Sequence, residues 1–281
     1  DNTNIIAYVW DLNDDGTVDS TEPTVSRQYP ASGEYKVRLT VTNELMETAT
    51  YLWTDYVFLY SHNTRTWDGG GANNNASTAA NWDKDTLPVP GDHIILNSTS
   101  QKHMTWDLNI PVQTWTQVGY NGTVTVATVF GSRGFTNFAI IGDCIISNGA
   151  WTHPANGSTE VNRMSVTVGG NLVLGSNAAI DVTGRGYASG QGPGKGSSGS
   201  HGGRGYVIMT YTSYCVESGR TYGNVVSPTN LGSTLGGGAI RMTVGGEARI
   251  EGRVFANAPD GSYYTGSGGS VFITAGSIAG T

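Results

Sequence analysis

Met164-Ser-Val-Thr-Val-Gly-Gly170 and Arg241-Met-Thr-Val-Gly-Gly246 are two versions of one phrase. Each is a short segment with apolar side chains at every second place, running into a paired-glycine turn, which predicts a strand buried on one face. Leu172 and Leu174 follow the first copy, then Ile180 and Val182. Ala248 and Ile250 follow the second, then Val254 and Ala256. A phrase that returns with its turn intact points to stacked copies of one supersecondary unit. A single copy cannot bury its own apolar face, so neighbouring copies stack over a shared interior and supply one another's hydrogen-bond partners. An ordinary β-sandwich is the alternative. The repeated turn and the lack of long hairpins favour the solenoid.

The same alternation extends outward from these copies. Val124 and Val126 alternate with Thr123 and Thr125, and Val271, Ile273 and Ala275 close the segment. Amphipathic helical spacing is missing throughout, so the expected class is all-β. Composition agrees: charged residues are 13% of the chain, roughly half the ~25% of an average soluble domain. Glycine accounts for 41 of 281 residues. The net charge of −7 comes without any Lys/Arg cluster, which argues against nucleic acid, since counterion release needs such a cluster. No run approaches the ~18 apolar residues of a membrane helix, so membrane insertion is not expected. The chain starts at Asp1 and stops at Thr281 without a polar cap, and reads as a segment of something longer.

At the start, Tyr8-Val-Trp10-Asp11 leads into an acidic loop with Gly16. After it come Tyr29-Pro-Ala-Ser-Gly33-Glu-Tyr35-Lys-Val37-Arg-Leu39-Thr-Val41-Thr-Asn43. These residues resemble the second half of a PKD (polycystic kidney disease-type) domain. The resemblance implies an immunoglobulin-like β-sandwich over residues 1–60, of a kind found in secreted bacterial proteins. The strands that normally precede the tryptophan strand are missing, so the sandwich is incomplete.

Residues 61–110 carry Trp67-Asp-Gly-Gly-Gly71, Asn81-Trp82 and Leu87-Pro-Val-Pro-Gly91-Asp92. They resemble the entry segment of β-helical exoproteins, autotransporter-type adhesins among them, and are read as a junction that caps the first coil. An uncapped coil would expose strand edges and apolar core. Residues 111–281 then resemble the Gly-rich right-handed parallel β-helix of such exoproteins, with an insertion over residues 184–238. Long segments of this sort inside a compact domain are usually functional or disordered.

Asp11-x-Asn13-x-Asp15-Gly16-x-x-Asp19-x-x-Glu22 satisfies the spacing of a calcium loop, with oxygen ligands at alternate places and a carboxylate at the twelfth. A structural Ca2+ held by Asp11, Asn13, Asp15, Asp19 and Glu22 is one expectation; a solvated acidic turn that needs no metal is the other. Catalytic patterns are thin. The five histidines are scattered, no Gly-x-Ser-x-Gly elbow exists, and no pair of carboxylates stands out for glycoside hydrolysis. No catalytic residue is assigned. In the insertion, Arg185, Tyr187, His201 and Arg204 are candidate glycan contacts, which a polysaccharide lyase would also need if they met over a groove. Cys144 and Cys215 fit no metal spacing and are either disulfide-bonded or two buried thiols.

The expected function is a non-catalytic structural or adhesive module of a secreted or cell-surface bacterial protein, able to assemble with neighbouring copies of itself. The competing expectation is a module that binds or degrades extracellular polysaccharide.

Overall fold

The computed structural model describes residues 4–29, 33–59, 62–131, 134–196, 198–204, 219–260 and 266–280. The chain divides into two compact units, Asp1–Ser61 and His62–Thr281.

In the first unit, β1 (Ile5–Asp11), β2 (Gly33–Asn43) and β3 (Thr48–Leu59) form one antiparallel sheet in the order β1-β2-β3. The alternation expected from sequence sets the register: Tyr8 lies opposite Val41 and Trp10 opposite Leu39. Val37 is buried while its neighbours Lys36 and Arg38 are exposed. Ile5, Ile6 and Tyr51 remain exposed. Among the described residues this unit holds a single three-stranded antiparallel sheet.

The second unit contains β4 (Thr64–Thr66), β5 (His93–Leu96), β6 (Met104–Trp106), β7 (Thr114–Gln117), β8 (Thr123–Val126), β9 (Phe130–Gly131), β10 (Gly134–Phe135) and β11 (Phe138–Ile140). These are followed by β12 (Cys144–Thr152), β13 (Met164–Val168), β14 (Leu172–Asp181), β15 (Ala239–Ile250), β16 (Arg253–Phe255) and β17 (Ser270–Gly280). Apart from the short β9–β10 hairpin, their ladders are parallel. They join in a twelve-stranded sheet that runs β11-β13-β15-β14-β12-β7-β5-β4, with β6, β8, β16 and β17 attached beside that path. The sheet curls because its long strands turn corners. The first half of β12 pairs with β7 and its second half with β8. β15 pairs with β13 before its corner and with β14 after it. Strands β4 and β5, inside the segment read as a junction, are already members of this parallel sheet.

The two copies of the opening phrase are direct neighbours. Val166 lies opposite Met242, and Val168 opposite Val244. Their paired glycines stack as well: Gly246 N–H donates to the Gly170 carbonyl at 2.9 Å, and Gly170 N–H to that of Gly142 at 2.9 Å. The approach leaves no room for a side chain. A Cβ on Gly169 would sit 2.2 Å from the Ile141 oxygen, and one on Gly245 would sit 2.3 Å from the Gly169 oxygen. Beside the glycines runs a ladder of polar side chains. Asp143 Oδ1 accepts the Asn171 N–H at 2.7 Å, and Asn171 Oδ1 accepts the Glu247 N–H at 2.8 Å. Ser277 continues the same position opposite Glu247. This corner therefore reads Gly-Asp, Gly-Asn, Gly-Glu and Gly-Ser from strand to strand.

Inward positions make one continuous apolar interior that includes Val166, Val168, Leu172, Leu174, Ile180, Ile240, Met242 and Val244. Each such side chain contributes about 1.5–3 kcal/mol on burial. Five tryptophans occupy the end nearest β4. Trp67, Trp82, Trp106, Trp115 and Trp151 are all buried, and successive rings meet edge to face with centroids 5.4, 6.3, 5.4 and 5.3 Å apart. Edge-on contact places the positive ring rim on the negative face of the next ring. Two of the indole N–H groups buried here donate to backbone, Trp67 to the Lys102 carbonyl at 3.0 Å and Trp82 to that of Ala76 at 2.7 Å, whereas the Trp106 N–H is buried without an acceptor among the described residues.

Candidate functional site

The glycine-rich segment leaves the sheet after β14 and returns at β15. Its base is fixed by His153. The ring lies fully buried, Nδ1–H donating to the Pro154 carbonyl at 2.8 Å and Nε2 accepting the Ala239 N–H at 3.1 Å. Those two bonds define a neutral tautomer. Burial, reinforced by the nearby Arg185 and Arg163 charges, lowers its pKa to about 4. Above the base the segment is knitted by backbone. Gly186 N–H donates to the Gly236 carbonyl at 2.8 Å, Tyr187 N–H to that of Gly232 at 3.0 Å, and Gly232 N–H to that of Gly237 at 2.8 Å. Ser200, Ser233 and Thr234 are buried within it. Small residues and hydroxyls let chains approach closely where a packed apolar core would not fit.

The segment and the stretch before β17 enclose a groove of about 730 Å³. His201, Gly202, Gly203 and Arg204 form one side, and Thr221 to Val225 with Pro228 another. Ser267 to Val271 complete it. His201 Nδ1–H donates to the Gly268 carbonyl at 3.0 Å, and its ring lies 4.9 Å from that of Tyr222. Tyr222 Oη donates to the Leu231 carbonyl and accepts from Ser233 Oγ at 2.9 Å. Burial raises the Tyr222 pKa, opposed by the Ser233 and Ser267 hydroxyls.

Of the four glycan contacts expected from sequence, His201 and Arg204 line this groove; Arg185 and Tyr187 do not. Arg185 is half-buried at the base, where its carbonyl accepts Asn156 Nδ2–H at 2.9 Å. Tyr187 is half-buried against Gly192, and burial, aided by Glu160, raises its pKa to about 12. Tyr222, Asn224 and the Gly268 carbonyl were not singled out by sequence. Nothing in their local pattern marks them, because chain closure alone brings them together.

In the acidic loop the side chains are turned to the backbone. Asp11 is buried and accepts the N–H groups of Gly16 at 2.8 Å and Asp15 at 3.2 Å. Asp15 accepts Thr17 N–H at 2.8 Å and Asn13 Nδ2–H at 2.7 Å, and these bonds hold its carboxyl below the usual carboxylate range. Asp19 accepts Leu12 N–H at 2.7 Å and pairs with Arg27. Glu22 contributes its backbone carbonyl, to the Trp10 indole at 3.0 Å. Asn13 Oδ1 is buried without a partner. Among the described residues no three acidic, histidine or cysteine side chains form a group fit to hold a metal ion.

Cys144 is buried in the sheet, and burial pushes its thiol pKa well up. Cys215 lies outside the described residues, and with it any pairing of the two. No described helix is long and apolar enough to cross a membrane.

One antiparallel sheet followed by a curled parallel sheet defines a modular all-β chain. Residues 1–55 match the family model described as PKD domain, over the stretch whose residues carried that resemblance. No curated protein and no solved structure matches the chain.

Proposed function

We propose that this chain is a structural or adhesive module of an extracellular or cell-surface protein, in which a PKD-type sheet is followed by a right-handed parallel β-helix serving as a rigid spacer. The observation that carries the reading is the in-register stacking of the repeated strands over one apolar interior, next to a PKD match. Stacking of this sort gives length and stiffness, which suits presentation at a surface. Beads coated with the chain should be retained by cells or matrix glycans without any polymer being degraded. Degradation of a polymer by the purified chain would overturn the reading, and a crystal structure showing an open sheet would overturn the β-helix.

Assembly with neighbouring copies belongs to the same proposal. β17 pairs along one edge with β15 and with no other described strand, and Val271 and Ile278 on it are exposed. Such an edge accepts a further strand. Sedimentation over a range of concentrations tests this, and a monomer at every concentration refutes it.

Calcium remains a second proposal for the acidic loop, supported by the partnerless Asn13 Oδ1. Binding would draw Asp11 and Asp15 away from their amides. With a Kd in the weak extracellular range, 10 mM Ca2+ should stabilise the first unit by about 1.4–2.7 kcal/mol. A melting transition indifferent to calcium and chelator would rule it out.

A further inference from the structure

We propose that the groove between His201–Arg204 and the stretch before β17 binds acidic oligosaccharide without cleaving it, Arg204 taking the anionic group and His201 and Asn224 the ring hydroxyls. The inference goes beyond the spacer and adhesive reading and does not depend on it.

The volume of about 730 Å³ lies within the ~300–1,000 Å³ of ordinary ligand pockets. Its electrostatics oppose those of the chain. The chain carries a net charge of −7, yet among the described residues no carboxylate lines the groove. Arg204 is exposed on its wall and makes no ion pair among the described residues. An unpaired guanidinium selects a planar or tetrahedral oxyanion through its fork of N–H donors.

The neighbouring groups supply the rest of sugar recognition. With Nδ1–H committed to Gly268, the other ring nitrogen of His201, Nε2, is the one left for a sugar hydroxyl. Asn224 Oδ1 already accepts the N–H groups of Val226 at 2.8 Å and Ser227 at 3.2 Å. Its Nδ2 donors carry no hydrogen bond among the described residues. Val225, Pro228 and Val271 add apolar lining, and Val225 is 91% exposed. Such a patch, costly to leave in water, matches the C–H face of a pyranose. Tyr222 has its hydroxyl engaged at both ends, to Leu231 and Ser233, and serves as a floor. The described lining holds no carboxylate, so no pair of carboxyl groups for glycoside hydrolysis faces the groove, and the proposal is one of binding.

The test is calorimetric titration of the full chain with three probes: oligogalacturonate, dextran sulfate and unmodified dextran. The first two distinguish a carboxylate from a sulfate as the anion, and the third removes the charge. Binding to at least one anionic probe is expected, with dextran weaker by tenfold or more. Arg204→Gln should weaken anionic binding at least tenfold, and Arg204→Lys should recover part of it. Arg249→Gln, a charge removed from β15 and outside the groove, should bind as the wild type does. Equal binding of dextran, no binding of either anionic probe, or wild-type affinity in a folded Arg204→Gln would overturn the proposal. Unsaturated uronate products from oligogalacturonate would overturn its binding-only part. None of these failures touches the strand register on which the spacer reading stands.

Discussion

Trp115→Ala is the most informative single perturbation of the tryptophan stack. The ring is fully buried and touches Trp106, Phe138 and Trp151, with centroids 5.4, 5.5 and 5.3 Å away. Its indole N–H donates to Gln117 Oε1 at 3.4 Å, and that oxygen also accepts from Trp151 at 2.9 Å. Removing Trp115 therefore leaves Gln117 satisfied, and the cost is one of packing. Truncating a buried aromatic ring to alanine typically costs about 3–5 kcal/mol, against a total stability of roughly 5–15 kcal/mol for a domain. For a unit of this size each kcal/mol moves the melting temperature by about 2–4 °C. The expected drop is thus roughly 6–20 °C, read by near-ultraviolet circular dichroism, whose signal from the coupled rings should collapse in the native state. Trp115→Phe should fall between. Trp10, half-buried in the first unit, supplies the control: Trp10→Ala should leave the second unit's transition in place. A Trp115→Ala variant melting within about 1 °C of wild type would show that the rings do not share one packed interior.

The buried His153 makes stability pH-dependent. Its folded pKa, about 4, lies below an unfolded value near 6.5, so its contribution is fully present above pH 6.5 and is lost as pH falls toward 4. The loss is on the order of 3 kcal/mol; denaturant titrations at pH 7, 5.5 and 4 should show it, and His153→Gln should flatten the trend. A Cβ at Gly237 would lie 1.9 Å from the Ala256 oxygen, whereas one at Gly202 meets nothing within 4 Å. Gly237→Ala should cost about 1–3 kcal/mol or more and Gly202→Ala no more than about 0.5 kcal/mol; equal melting temperatures would contradict the close backbone packing. In the first unit, Asp11→Ala strands the N–H groups of Asp15 and Gly16 and should destabilise that sheet by about 1–3 kcal/mol, in chelator as well as in calcium.

Much of the parallel sheet was legible because period-two alternation is a local property. Val166, Val168, Leu172 and Leu174 announce an inward face, and all four are buried. The repeated Gly-Gly even foretold which strands are neighbours, since two turns that must stack backbone on backbone share the same demand for a missing side chain. What stayed hidden depends on distance in three dimensions. His153 meets Ala239 across 86 residues, and no spacing rule connects them. Tyr222, Ser233 and Ser267 converge only once the glycine-rich segment has closed. The acidic loop shows the reverse limit: its spacing suits a cation, but spacing is silent on whether carboxylates turn toward an ion or toward their own amides.

The strands on either side of the glycine-rich segment keep their alignment as though nothing came between them. Met164 and Ile240 face each other across neighbouring rows, despite the long excursion that separates β14 from β15. The excursion is thus clipped in at its two ends, where Val182 enters the core and Gly237 and Gly238 press against Ala256 and Val182. Unrelated loops transplanted inside those anchors, with Val182, Gly237 and Gly238 kept, should leave the strand register standing.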